Sequence, residues 1–460
     1  MRHPLLAPDL RELVLEREEK VLRDFFVPHH PAATAEMLDD LAPEEALYVL
    51  TLLAGRVRAE VFSYLEAELQ DGIAQLMDRG ALATLVSAMS HDERADLITR
   101  LPEERTEQIL PLLAQAERED IRRLTAYKED TAGAVMTSDY ATVPAELTAA
   151  EAIDRLRHEA PDRETIYYCY VLDSERRLVG FVSLKNLILA PQHRRVADIM
   201  QREVISSVVD EDQEVTAGKL MEYDLLALPI LDHENRLVGI VTHDDVADVI
   251  VEEATEDVYR LGAVGPLEDS YLRTPLVTMW GKRSFWLAIL FCAEFMTMMV
   301  LLRYKETFDA VPGLVLFIPL IISAGGNCGS QSATIITRAL ALGEVRPADW
   351  FRIVWHEIMM GASLGLTLGA LGLFGAIGFL HVLGGHDESV GEVTVAHMAM
   401  VVAMGVATVV VCGNLVGATL PLVLKRVGLD PALMSNPVVA SLVDVTGILV
   451  YFAIAEAFLM

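Results

Sequence analysis

The sequence predicts a multidomain membrane protein. An all-α N-terminal helical array is followed by an α+β tandem repeat, a long connecting helix and a five-helix α transmembrane domain. Three observations carry this. The charge is split along the chain: residues 1–270 hold 27 Lys and Arg against 55 Asp and Glu, a net of −28, whereas residues 271–460 hold 10 against 12. Five apolar stretches follow residue 280, each near the ~20 residues needed to cross a bilayer. Finally, LDSERRLVGFVSLKNLI (172–188) recurs as LDHENRLVGIVTHDDVA (231–247), an offset of 59.

The apolar stretches are 284–302, about 312–337, about 353–381, about 394–424 and about 433–459. Core helices of a large soluble protein would not be so numerous and so long together. Arg273, Lys282 and Arg283 precede the first stretch, Arg338, Arg346 and Arg352 separate the second from the third, and Lys425 and Arg426 separate the fourth from the fifth. On the opposite side stand only Arg303 and Lys305. The positive-inside rule then places the N-terminus in the cytoplasm and the C-terminus outside an inner, or cell, membrane.

Polar residues inside the spans narrow the function. The second span holds Gly325, Gly326, Asn327, Gly329, Ser330 and Gln331 in one run. Two readings fit it: close helix packing through small residues, or lining of a wet cavity. In the fifth span Asn436, Ala440, Asp444 and Gly447 share one helical face. Asp444 lies ~12 Å along the axis from Asn436 at 1.5 Å per residue. A carboxylate at that depth is costly and marks a permeation or coupling site. A salt-bridged or a protonated structural Asp is the alternative, but no Lys or Arg lies within the five stretches. A cation from solution is the better partner. Glu294, Glu357 and Glu456 are nearer the span ends. Two copies of Asp444 facing each other across a dimer axis would suit Mg2+, which keeps much of its hydration shell and is held through one or two carboxylates.

In the soluble part, each repeat copy reads as strand, amphipathic helix, two short strands and a closing helix, with Met136 and Met200 at the two starts. The pair resembles tandem CBS domains. That resemblance implies an adenine-nucleotide site, for example for ATP, with Thr242 and Asp245 against phosphate and ribose and Ser183 and Asn186 at the matching places of the first copy. A purely structural hinge and dimerisation module is the competing reading. Residues about 10–130 place Pro or Ser and then acids at successive helix starts, as in DLAPEEALYVL and RLPEERTEQIL, where the helix dipole favours them. Stacked short helices are expected. Residues 244–264 read as one acidic helix carrying Asp248, Glu252, Glu253, Glu256 and Asp257.

Several classes are excluded. A body with a net of −28 offers nucleic acid no basic face. Cys169, Cys292, Cys328 and Cys412 form neither a disulfide framework nor a thiolate zinc site. No signal-peptide core opens the chain. No HExxH, P-loop or Ser/His/Asp pattern is present, so the chain is not expected to be an enzyme.

The whole chain resembles the MgtE family of magnesium channels. The residues that carry this are GGNCGSQ…RALALGEV (325–345), EEATEDVYRLGAV and DPALMSNPVVASLVDVTG (430–447). The resemblance implies domains at 1–130, 131–245, 246–272 (a plug helix) and 273–460. It implies a homodimer in the lipid bilayer, with a pore on the two-fold axis and cytosolic Mg2+ holding the gate shut. Asp444 matches the pore aspartate, with Ala440, Gly447, Asn436 and Asn327 around it. Asp212, Glu214, Asp224, Asp248, Glu253, Glu256 and Asp257 match metal-bridging acids, and Asp92, Asp96 and Glu60 match the N-domain acids that face them. Two other functions compete with the channel: a Na+- or H+-coupled divalent-cation carrier, with Glu294 and Glu357 as coupling acids, and a membrane-tethered nucleotide sensor that transports nothing.

Overall fold

The computed structural model describes residues 7–159, 164–267, 271, 274–384, 389–390, 393–431 and 436–459. Two compact units emerge, Met1–Val251 and Glu252–Met460.

The first unit begins with ten short helices, α1–α10, between Ala7 and Leu124. Their starts follow the sequence logic. Pro43 opens α4 (Pro43–Leu52), and Glu45 reaches back to accept from the Ala42 N–H at 3.0 Å; Glu117 does the same for Ala114 at α10 (Gln115–Leu124). These side chains satisfy orphan N–H groups of the first turn. Helix C-termini are closed by arginines from the following helix. Arg58 Nε donates to Leu50 O at 2.8 Å, and the buried Arg94 Nε donates to Val86 O at 2.9 Å, each eight residues on. Leu22, Phe62, Ile73, Leu82, Leu97 and Ile109 fill the core between the layers.

Two three-stranded sheets follow. In the first, β1 (Tyr140–Thr142) lies parallel to β2 (Thr165–Leu172), which pairs antiparallel with β3 (Leu178–Ser183). In the second, β4 (Ser207–Val208), β5 (Ala227–Leu231) and β6 (Leu237–Thr242) repeat the arrangement. The segment that starts each repeat crosses to the other copy's sheet: Thr137 exchanges hydrogen bonds with Ile240, and Gln201 forms a bridge with Phe181. This explains the glycine of the repeated LVG motif. A Cβ at Gly239 would stand 2.8 Å from Thr137 O, and one at Gly180 would stand 2.5 Å from Gln201 O. A side chain at either position would push the crossing strand away.

The acidic connecting helix is α15, His243–Leu261. It is shorter than the acidic stretch suggested, because Gly262 and Ala263, the latter at φ 55°, turn the backbone out of the helix.

Five long apolar helices form the second unit: α16 (Leu276–Arg303), α18 (Ile318–Ala341), α19 (Trp350–Gly384), α20 (Val395–Val427) and α21 (Asn436–Leu459). The expected first stretch began at 284, yet α16 starts at Leu276. Its first turns hold Trp280, Lys282 and Arg283, polar or amphipathic residues that suit a membrane interface rather than the hydrocarbon. A 3-10 turn, Pro312–Phe317, precedes α18 where the expected stretch began. Helix α20 is central. Gly413 and Gly417 bring its backbone against the carbonyl oxygens of Gly325 and Gly329 in α18. On its other side, a Cβ at Gly369 would stand 2.9 Å from Ala403 O. Such close approach is how apolar helices associate when no hydrophobic difference drives them.

Candidate functional site

The fifth and second spans meet through polar side chains. Ser330 Oγ of α18 donates to Asn436 O at 3.3 Å, and Thr334 Oγ1 donates to Asn436 Oδ1 at 3.2 Å. Two turns further along α21, Asp444 Oδ1 lies 3.9 Å from where a Cβ on Gly326 would sit, beside Ala440. Position 326 therefore opposes Asp444 while 330 and 334 oppose Asn436, so the two helices run antiparallel. Asp444 is half-buried. Among the described residues no Lys or Arg pairs with it.

The small and polar run of α18 is divided between faces. Gly325 and Gly329 pack on α20, and Gly326 and Ser330 look toward α21. Ser323, Asn327 and Gln331, spaced i, i+4 and i+8, form a third face that is exposed in the protomer. Packing and cavity lining thus each describe part of one helix. Gly447 stands apart from Asp444. It is buried, and a Cβ there would lie 3.0 Å from Val409 Cγ1, so its smallness serves the α20 contact.

The end of α15 is tied to the bundle. Arg260 bridges Glu256 on its own helix and Asp430, just beyond α20. Burial, and then the charge of Asp430, raise the pKa of Asp257. Asp248 is exposed on the same helix, and Glu253 is half-buried.

In the first unit, acids from several separate segments gather. Asp92, Glu93 and Asp96 lie on α8 (His91–Arg100). Burial, then the charges of Asp92, Asp96 and Asp245, raise Glu93 to about 8. Burial, then Asp92, Asp244 and Asp139, raise Glu164 to about 7. Asp245 is raised to about 7 by burial and then by Asp92. Asp92 is itself raised by burial, and its Oδ1 has no hydrogen-bond partner. Glu60, Asp139 and Glu164 line the adjoining cleft with His91 and Asp120. Asp120 is desolvated, yet hydrogen bonds from His91 and Ser138 hold it below the usual carboxylate range. Asp212, Glu214 and Asp224 take other places: Asp212 caps α14 (Gln213–Glu222) by accepting from Glu214 N at 2.8 Å, and Asp224 sits at its end with φ 49°. No three His, Cys, Asp or Glu side chains converge on one point among the described residues of a single chain.

This cluster sets a pH dependence. A carboxyl whose folded pKa exceeds its unfolded value favours folding below the unfolded pKa, and that advantage is lost as pH rises through the folded value. For Glu93, Glu164 and Asp245 the window runs from ~4 to about 8. A divalent cation would relieve the same repulsion. Thermal unfolding of the full chain should therefore show a Mg2+-induced rise in Tm at pH 8 at least twice that at pH 5.5. An equal rise at both pH values would remove the cluster as a cation-responsive element.

The four residues matched to nucleotide contacts lie at the starts of two helices, where Ser183 and Asp245 cap backbone N–H groups. Ser183 Oγ accepts from Asn186 N at 3.1 Å, and Asp245 Oδ2 accepts from Thr242 N at 3.2 Å. A small cleft of about 160 Å³ lies elsewhere, between the two repeat copies. Tyr168, Tyr170 and Phe181 of the first copy and Tyr223 and Pro229 of the second line it, with Glu203 at its wall. Its aromatic lining offers ring faces to a planar group, but it is smaller than the ~300–1,000 Å³ of most ligand pockets. Tyr168 and Ala227, and Tyr170 and Pro229, stand at matching positions of the two copies, just upstream of the segments whose repeat is plain in the sequence.

Five long apolar helices, with a half-buried carboxylate among them that no Lys or Arg pairs among the described residues, define a polytopic membrane protein suited to handling cations. Comparison with known proteins agrees. The family model for divalent cation transporters of the MgtE type matches residues 318–454, that for the MgtE intracellular N domain matches 29–130, and CBS domains match 132–193 and 196–252. The chain is 39% identical over 457 residues to the magnesium transporter MgtE of Thermus thermophilus, covering 99% of this chain and 98% of that one. It is 29% identical to the Bacillus subtilis magnesium transporter MgtE over 98% of this chain and 97% of the relative. A solved structure described as the cytosolic domain of the Mg2+ channel MgtE in complex with ATP matches at 38% identity and TM-score 0.50, covering 53% of this chain and all of that one. The soluble part of a magnesium transporter matches at 32% identity and TM-score 0.50, covering 54% of this chain and 98% of that one. The chain belongs to the MgtE family of magnesium transporters.

Proposed function

We propose that the protein is a Mg2+-selective, channel-like importer that works as a homodimer in the inner membrane. The observation that carries this is the exposed stripe Ser323, Asn327 and Gln331 beside the unpartnered Asp444. Polar groups at that depth are not stable against lipid. Turned toward a second copy, two such stripes and two Asp444 carboxylates would line one wet path and together neutralise one divalent ion. Asn436, Ala440 and Asn327 would supply oxygens and room for its water shell. The Lys and Arg distribution supports a cytoplasmic N-terminus and an external C-terminus.

Function divides along the chain at 1–130, 131–245, 246–272 and 273–460. The first three parts form the gate. With a net of −28 they repel one another when divalent ions are scarce. Mg2+ between Asp92, Asp96, Glu60 and the acids of the repeats, and between Asp248, Glu253, Glu256 and Asp257, binds the compact state better and shifts the equilibrium toward it. Asp212, Glu214 and Asp224, placed on another face, serve between protomers. Adenine nucleotide, which a related cytosolic domain is described as holding in the form of ATP, binds the repeat pair at Thr242, Asp245, Ser183 and Asn186. Mg2+ uptake by proteoliposomes without a Na+ or proton gradient tests the function. Uptake supports the channel; a requirement for either gradient points to the carrier, and no uptake at any Mg2+ concentration leaves only the sensor.

A further inference from the structure

We propose that Glu294 is a second carboxylate of the ion pathway, one helical turn from Asp444, which sets how tightly the hydrated cation is held. This rests on the pore reading above and deepens it. Helix α16 packs chiefly on α21 among the long helices, and where they touch, Ser441 Oγ donates to Glu294 Oε1 at 3.4 Å. Ser441 and Asp444 are i, i+3 neighbours on one helical face. The two acids therefore flank the same turn of α21.

The other membrane acids are accounted for differently. Glu357 is 8% exposed and accepts a 2.9 Å hydrogen bond from Ser332 Oγ, packed between α18 and α19. Glu456 accepts from Thr307 at 3.0 Å near the end of α21. Glu294 is only half-buried in the protomer. The basic residues on its own helix are distant: Arg283 and Arg303 stand ~16 and ~14 Å along the axis. Among the described residues no Lys or Arg pairs with it. Mg2+ gives up its waters reluctantly, so a nearby carboxylate acts by accepting hydrogen bonds from the ion's water shell and adding to its attraction. Such a group lowers the Mg2+ concentration needed to fill the path and disfavours monovalent ions.

The test is the concentration dependence of Mg2+ uptake by the full chain in proteoliposomes, with Na+ as competitor. Glu294→Gln should raise the half-saturating Mg2+ concentration by roughly tenfold, the order expected when one nearby charge is removed from a divalent ion. It should also weaken discrimination against Na+. Glu294→Asp should recover most of the affinity. Ser441→Ala, which keeps the carboxylate but releases it, should fall between. Unchanged half-saturation and selectivity in Glu294→Gln, with Asp444→Asn impaired, would overturn this inference and leave the pore reading standing. Loss of maximal rate alone, equal in the Gln and Asp variants, would also overturn it, since that marks a structural role. Asp444→Asn behaving normally would instead overturn the pore reading itself.

Discussion

Asp444→Ala is expected to abolish selective Mg2+ flux while the protein still folds and assembles. At an effective dielectric of ~20, a carboxylate ~5 Å from a divalent ion contributes roughly 7 kcal/mol before desolvation is subtracted. A net loss of about 3 kcal/mol already lowers occupancy more than a hundredfold. The same substitution separates the pore from a structural role. A salt-bridged Asp would leave a buried basic group unpaired when removed, costing about 3–5 kcal/mol of stability. No such partner exists among the described residues, so removing a lone half-buried charge should leave Tm unchanged or raise it. Radiotracer uptake together with a melting curve reads both quantities. A variant that conducts and selects normally removes Asp444 from the pore.

Deleting the soluble region, so that the chain begins near Arg273, is expected to leave a pathway that stays open at high cytosolic Mg2+. The full chain should close. Moving a gate from 1:99 to 99:1 takes about 5.5 kcal/mol of differential binding, which several bridged ions share more readily than one. Neutralising Asp248, Glu253, Glu256 and Asp257 together should therefore weaken closure without removing it. Glu256 is also a partner of Arg260, which holds Asp430, so part of the effect will come from the loosened helix end. Normal closure in both the truncated and the neutralised chain would reduce the acidic half to a solvating surface.

The architecture was legible in the sequence because its signals are local. Span length and the Pro-then-acid helix starts need only neighbouring residues to be seen, and the LVG repeat shows as a direct match of two short segments. Asp444 was legible for the same reason, as an acid in an apolar run. Depth alone could not divide the α18 run: that Gly329 meets Gly417 while Asn327 stays exposed depends on which helix lies on which side. The acidic cleft was legible only in part. Asp92 and Asp96 were found through the family's pattern. Glu93, Asp139, Glu164 and Asp244 join them through the docking of the helical array on the repeats, a contact between residues distant in the chain. Asp245, which the resemblance matches to a nucleotide contact, caps the start of α15 and lies near enough to Asp92 to feel its charge. A capping residue and a phosphate ligand look alike in sequence, because both are short polar side chains at a helix start.

We propose a passive Mg2+ pathway shut by Mg2+ on its cytoplasmic side. The most direct measurement is current through the reconstituted full chain with Mg2+ set independently on the two faces of a planar bilayer. The predicted result is a reversal potential that follows the Mg2+ gradient, and a current that falls as Mg2+ rises on the face bearing the soluble domains but not on the other. A reversal potential that follows Na+ or protons, or a current indifferent to which face receives Mg2+, would contradict it.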